Sequence, residues 1–268
     1  MMQPRIAITG STGFIGQELL LHSQLPRQCE IRICNEVDSL GELGSWAIGA
    51  TLLHLAGRFS GDHDTLWASN IELTRRALGC FGRSGGHRVV FLSTGAVYGE
   101  VAHRSGSRED DPVGPTNYYG FSKWLAEKVI EYEWGGEGRP FHILRLPNVY
   151  GQRQQKGVVF HMQRQIREKG EVTIDGDGGQ RRDFLHVSDL LGAIEKVIVK
   201  PEEVGVFNIS SRLTLSINQL ADLLADGRNV TRKHGPENNG LRELVLDISK
   251  ARRCLGYEPK VNELRLTD

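Results

Sequence analysis

The 268-residue chain has few cysteines and no cysteine pattern. Its four (Cys29, Cys34, Cys80 and Cys254) are scattered, with no C-x-x-C pair. This speaks against a metal site and against a disulfide framework, and leaves thiols suited to a reducing compartment. A charge excess is missing too: Lys and Arg total 33, as do Asp and Glu, so no global field marks a binder of nucleic acid or membranes. No uninterrupted apolar run reaches membrane-spanning length. Residues 1–8 carry one charge and lack the long apolar core of a secretion signal. The expectation is a soluble, cytoplasmic protein, with one large domain or two small ones. There is no internal repeat, low-complexity tract or obvious linker.

What is present is a rhythm. Residues 5–9 read as a short, mostly apolar strand of the kind buried on both faces. A glycine-rich turn follows, then a helical period over 14–25 that stops at Pro26. Further strands are predicted at 30–34, 51–55, 88–93 and 141–146, and helices at 65–81 and 118–134, the last ended by Gly135-Gly136. Strands alternating with helices at this spacing predict parallel βαβ units in an α/β fold with helices on both sheet faces. After Gly151 the texture changes. Helices are predicted over 158–169 and 188–199, and from a Ser216 cap to Leu224. A short strand at 206–208 and a last helix over 249–255 complete a smaller lobe.

The segment Asn117-Tyr118-Tyr119-Gly120-Phe121-Ser122-Lys123 carries the first chemical signal. At the start of a helix, the four-residue spacing stacks Tyr119 and Lys123 on one face. An ammonium beside a phenol favours phenolate, so the tyrosine is expected to titrate below its usual value of about 10. Such a phenol can pass protons to and from a sugar or alcohol hydroxyl. The second signal is Thr9-Gly10-Ser11-Thr12-Gly13-Phe14-Ile15-Gly16, set between a strand and a helix. Gly10 permits the tight turn, Gly13 lets backbone approach a pyrophosphate, and Gly16 lets the helix lie close to the strand. The helix N-terminus offers free N–H groups to the phosphates.

These two motifs occur in order with HLAG at 54–57, STGAVYG at 93–99, LRLPNVYG at 144–151 and RRDFLHVSDL at 181–190. Together they resemble an extended short-chain dehydrogenase/reductase of the nucleotide-sugar epimerase/dehydratase family. The resemblance implies a Rossmann-type doubly wound parallel sheet over 1–150 that binds NAD or NADP. It also implies a small C-terminal lobe over 151–268, interleaved with the first, that binds a nucleoside-diphosphate sugar. Tyr119 would then be the acid/base and Lys123 would also hold the nicotinamide ribose. Thr94, at the end of the strand over 88–93, would orient the substrate oxygen and share its proton with Tyr119; Ser93 is the alternative. The implied cofactor contacts are Gly10, Thr12, Gly13, Phe14, Ile15, Gly16, Asn35, Leu55, Ala56, Gly57, Tyr119, Lys123 and Pro147. Asn148 would hydrogen-bond the substrate, and Arg182 would pair with its diphosphate, where a planar fork suits phosphate oxygens. Asp183 is expected to hold local structure and His54 to point into packing. The family also implies a homodimer through the helices over 65–81 and 118–134.

Four departures narrow the reading. Sugar 4,6-dehydratases of the family usually carry Asp-Glu after the threonine; here Gly95 and Ala96 stand there and cannot move a proton. That leaves epimerisation or reduction of a 4-keto sugar. The acidic residue that dinucleotide folds place after the second strand is replaced by Asn35, with Glu36 and Asp38 near and Arg32 and Arg58 as the cations within reach, so NAD and NADP both stay open. Residues 35–51 have room only for a turn and a short helix, so the sheet is expected to lack one strand. Near 236–240 the family's phosphate-contacting arginine is missing, with Arg242 the nearest substitute. A catalytically silent NAD(P)-binding sensor or scaffold, and a reductase of a non-sugar carbonyl compound, are the competing readings.

Overall fold

A strand that is apolar on both sides must be covered on both sides, and β1 (Arg5–Thr9) meets this condition, with Ile6, Ala7 and Ile8 fully buried. The computed structural model describes residues 3–100, 106–200, 202–236 and 241–264. In it, β1 lies between β2 (Glu30–Ile33) and β3 (Thr51–His54). The sheet continues through β4 (Arg88–Thr94), β5 (Phe141–Leu146) and β9 (Gly205–Asn208). Its order is β2-β1-β3-β4-β5-β9 and every neighbouring pair is parallel.

On one face lie α1 (Phe14–His22), α7 (Val187–Val199) and the turn Ala251–Leu255. On the other lie α4 (Leu73–Arg83), α5 (Tyr118–Val129) and two 3₁₀ segments, Val37–Glu42 and Gly44–Ala47. Each fully buried Leu, Ile or Phe of these two layers contributes about 1.5–3 kcal/mol of apolar burial. The sheet is doubly wound, as expected. β2 is its edge among the described residues, because the two 3₁₀ segments occupy the chain between β2 and β3 and no further strand forms.

The second half of the chain divides its loyalty. Tyr150, Val159, Met162, Ile166, Val172, Phe184 and Leu220 belong to a separate small core. That core is built from β6 (Asn148–Tyr150), α6 (Val158–Lys169), β7 (Glu171–Asp175), β8 (Arg181–His186), β10 (Thr214–Ser216) and α8 (Ile217–Ala225). β8 pairs with β6, β10 and β12 (Glu243–Leu244), while β11 (Thr231–Gly235) pairs with β7. α7, β9 and residues 248–257 return to the first sheet.

Several boundaries differ from expectation for local reasons. α1 stops at His22, where the Ser23 hydroxyl bonds the Leu19 carbonyl, and Pro26 sits inside the first turn of a separate short helix, α2 (Leu25–Gln28). Proline fits a first turn because its missing N–H has no partner there in any case. The helix predicted over 65–81 starts earlier, at α3 (His63–Leu66), because the Asp62 carboxylate caps Thr65 N. It then passes through a π-turn, Trp67–Glu72, before α4. The strands β6, β7, β10, β11 and β12, of two to five residues each, are too short to show a period. Ser216 forms a full capping box with Gln219.

Candidate active site

The chemistry gathers where β4 and β5 end. Asn117 caps α5 by accepting from Gly120 N at 2.8 Å, so Tyr119 falls in the first helical turn. A Cβ at Gly120 would lie 2.7 Å from the Ala96 carbonyl oxygen, so the helix start presses against the Gly95–Tyr98 turn that follows Thr94. This contact brings the Tyr119 side chain beside that of Thr94. Thr94 also accepts from Ala96 N at 3.2 Å. Tyr118 turns the other way and stacks on His63, with ring centroids 3.9 Å apart.

Lys123 is buried one turn further along α5, its ammonium 3.9 Å from the centre of the Phe91 ring. Burial pulls its pKa down to about 7, against the pull of Glu127 in the other direction. The expectation that Lys123 lowers the Tyr119 pKa is not met in the unliganded protein. Tyr119 is half-buried; desolvation raises its pKa above the usual phenol value, and the Thr94 hydroxyl opposes this only in part. Spacing places a cation near a phenol; it does not report how much water either one loses.

His54 is a packing residue, as expected. Its Nδ1 lies 2.6 Å from Thr9 Oγ1 and its Nε2 3.1 Å from Thr74 Oγ1, and burial lowers its pKa to about 3. Asn70, which the sequence did not single out, closes the floor of the site. Its side chain accepts from Arg58 N and donates to Arg58 O, both at 2.8 Å, and donates to Ser122 Oγ at 2.9 Å. Gly57, at φ +155°, is pinned beneath it: a Cβ there would lie 2.9 Å from Asn70 Oδ1. The signal was a lone polar residue on the apolar side of a predicted helix, four residues after Leu66 and three before Leu73.

The glycine turn has the shape of a cradle. Gly10, at φ +73°, has room for no side chain, since a Cβ would lie 2.5 Å from Ala56 N; Gly16 is equally closed by the Gly10 carbonyl at 2.5 Å. Gly13 is open outward, a Cβ meeting only the Gly10 carbonyl at 3.4 Å, and it begins α1 with no side-chain cap over the first-turn amides. Thr12 and Gly13 face solvent, Phe14 and Ile15 are half-buried, and Leu55 and Ala56 run alongside. These features fit a dinucleotide pyrophosphate. At the far end, Asn35 is tied to the turn itself, accepting from Ser11 N at 3.0 Å and exchanging hydrogen bonds with Ser11 Oγ. Arg32 lies over the Trp46 ring at 4.7 Å, and Arg58 is exposed.

On the lobe side, Pro147 is buried and Asn148 half-buried at the start of β6. Arg182 donates to the carbonyls of Arg181 and Leu241, so its fork is spent on backbone. Asp183 is wholly buried and bonds Ser210, Thr214 and Leu246 N, a structural role. Arg242 pairs with Asp177 at 3.1 Å. Residues 237–240 of the loop noted above lie outside the described residues. Gly95 is not merely short of a carboxylate: a Cβ there would lie 2.9 Å from Leu246 Cδ2, so apolar side chains fill that space. Among the described residues no cluster of His, Cys, Asp or Glu could hold a metal ion, and no helix is long and apolar enough to cross a membrane.

Comparison with known proteins places this geometry. Residues 50–210 match the model of the NAD dependent epimerase/dehydratase family. An uncharacterized UDP-glucose epimerase of Bacillus subtilis is 34% identical over 197 residues, 72% of this chain and 62% of its own length. A dTDP-glucose 4,6-dehydratase of Streptomyces griseus is 29% identical over 222 residues, 79% of this chain and 67% of its own. The chain thus spans about three fifths of the epimerase relative's length. A mutant UDP-glucuronic acid 4-epimerase from Bacillus cereus was solved in complex with a 4-deoxy-4-fluoro UDP-sugar and NAD. It superposes with a TM-score of 0.85 at 25% identity, over 96% of this chain and 94% of that one.

Proposed function

From a chain that belongs to the NAD dependent epimerase/dehydratase family, with Thr94, Tyr119 and Lys123 gathered at one strand end, we propose an enzyme that moves hydride and proton at one carbon of a nucleoside-diphosphate sugar. Epimerisation is the leading form and reduction of a 4-keto sugar the alternative. The observation that carries the proposal is the approach of the Tyr119 side chain to Thr94 beside the buried Lys123.

In this reading Gly13, Phe14 and Ile15 hold the pyrophosphate of NAD, Asn35 meets its adenosine ribose, and Lys123 and Pro147 meet its nicotinamide end. The nicotinamide supplies the acceptor and donor of hydride. Thr94 and Asn148 orient the sugar hydroxyl, and Tyr119 takes its proton as the carbon is oxidised and returns it as the ketone is reduced. The Tyr119 hydroxyl stays protonated in the unliganded protein, the form that donates to a ketone. Taking a proton needs positive charge nearby, which Lys123 supplies below about pH 7. Arg182 leaves the Leu241 carbonyl to meet the diphosphate. The filled space beside Gly95 supports chemistry other than dehydration, because an eliminating enzyme needs a proton carrier there.

The test offers UDP-, dTDP- and GDP-sugars with a catalytic amount of NAD. A converted sugar without net change in nicotinamide absorbance identifies an epimerase; stoichiometric consumption of NADH by a keto sugar identifies a reductase. A Tyr119→Phe variant that turns over at the wild-type rate would rule the mechanism out, and equal indifference to all three nucleotides would remove the sugar-nucleotide class. Pairing of two copies through the helical segments over 65–81 and 118–134, the second of which ends in a π-turn, Ile130–Trp134, where Tyr132 is 84% exposed, belongs to the same proposal and is checked by sedimentation. A cytoplasmic location does too, and is checked by fractionation.

A further inference from the structure

One rung below Thr94 the sheet carries polar residues in three adjacent strands. Ser93 of β4 is the register partner of Arg145 of β5, which is the partner of Asn208 of β9, and all three are buried. A rung of the same sheet filled with apolar side chains would cost nothing in desolvation, whereas a buried ion pair recovers its own cost only with full hydrogen bonding. Here the pair is well bonded. Glu127, with no exposed surface, accepts from Arg145 Nη2 at 2.7 Å, from Arg145 Nε at 3.2 Å and from Ser93 Oγ. The Arg145 guanidinium lies over the Tyr98 ring at 4.8 Å, and Tyr98 donates to Asn208 Oδ1 at 2.7 Å. One valence is left over, since Arg145 Nη1 has no partner among the described residues.

Glu127 follows Lys123 by four residues on the inward side of α5, as Lys123 follows Tyr119. The three therefore form a single stripe. We propose that Glu127 is a positioning residue acting through Lys123: anchored to the Ser93–Arg145 rung, it holds a negative charge at a fixed place one turn along the same stripe and, without pairing directly with the lysine, favours its charged form. The inference rests on the reading of Tyr119 and Lys123 given above.

The surroundings of Lys123 leave this task to Glu127. From β3 comes His54, neutral and burdened by the same cation. From the Trp67–Glu72 turn comes Asn70, which is uncharged, and from β4 come Phe91 and Thr94. Its own helix supplies Tyr119. Arg145 of β5 stands beyond Glu127, to which it is bonded. Glu127 is the one carboxylate that favours the charged lysine among the described residues, and it counters the loss of water that draws Lys123 down to about 7.

The test reads Lys123 directly, without substrate. In protein carrying isotope-labelled lysine, with Lys123→Arg used to assign the signal, the Lys123 resonance is followed by NMR against pH. The expected result is a midpoint near 7 in the wild type and a drop of about one unit or more in Glu127→Gln, the usual effect of removing a neighbouring opposite charge. In turnover, kcat is expected to fall about fivefold near pH 7 with KM nearly unchanged, because a one-unit drop from a midpoint of about 7 lowers the charged fraction from about one half to about one tenth. An unmoved Lys123 midpoint in folded Glu127→Gln overturns the proposal. Should that variant fail to fold, Glu127→Asp carries the test: it keeps the charge but withdraws it by one methylene. A lower midpoint and lower kcat then support the proposal, and wild-type values of both overturn it. Because the titration needs no sugar, its outcome is independent of whether a sugar nucleotide is the substrate.

Discussion

Around Thr94, Tyr119 and Lys123 the ends of β4 and β5, the start of α5 and the Gly95–Tyr98 turn are locked by buried partners. The margins that would meet adenosine and diphosphate instead rest on accessible side chains. Asn35 is exposed and holds Ser11; Arg182 is half-buried and holds two carbonyls. The centre is rigid because packing fixes each rotamer, while the margins have polar groups that must trade a protein partner for a ligand one. A scaffold divided this way can keep one proton-transfer geometry while its rim adapts to different nucleotides.

The strongest attempt to break this comparison is at its centre. Tyr119→Phe is expected to cut turnover by about 100-fold or more while cofactor binding, read by fluorescence titration, persists. Gly10→Ala attacks the cradle: a left-handed φ costs about 1–2 kcal/mol outside glycine, and the Ala56 backbone leaves no room for the methyl. Thermal melts should show a fall of several degrees together with lost cofactor affinity.

His54 tests the depth of the centre through pH. Its folded-state pKa of about 3 lies below the ordinary 6.5 of an unfolded chain, so between those values the unfolded state binds the extra proton. Stability is therefore full above about pH 6.5 and declines as pH falls toward 3. His54→Gln should flatten that slope in melts taken across the window. Arg182→Ala probes the rim and is expected to raise KM about tenfold with kcat nearly kept, the loss of one charged hydrogen-bonding group. Asn35→Asp should be the mildest: NADP affinity falls about tenfold by charge repulsion and NAD affinity stays within about threefold, measured by calorimetry. An Arg182→Ala loss confined to kcat would place that side chain at the centre and dissolve the contrast.

The rigid centre was also the more legible region in the sequence. The strand–glycine–helix order and the Tyr119–Lys123 spacing depend on local periods, and Asn117 marks the helix start by its own capping chemistry. The missing sheet strand was readable from length alone, since residues 35–51 cannot hold one. What escaped depends on distance in three dimensions. The raised Tyr119 pKa comes from neighbours on other elements, and the Asn70 partners Arg58 and Ser122 lie on other segments of the chain. Glu127 was not singled out, because its partners Ser93 and Arg145 meet it only once β4 and β5 pair. The Arg182 contacts depend on β12, two residues long and far along the chain.

The polar rung has a consequence for assembly of the sheet itself. Side chains alternate sides along a strand, so sliding β5 by one residue against β4 would turn Arg145 to the opposite face and drive its charge among aliphatic groups without Glu127. Misaligned pairings of β4, β5 and β9 are thus penalised more heavily than an all-aliphatic rung would penalise them. The buried Arg145–Glu127 pair doubles as an alignment key that only the correct stacking of three strands and one helix can turn.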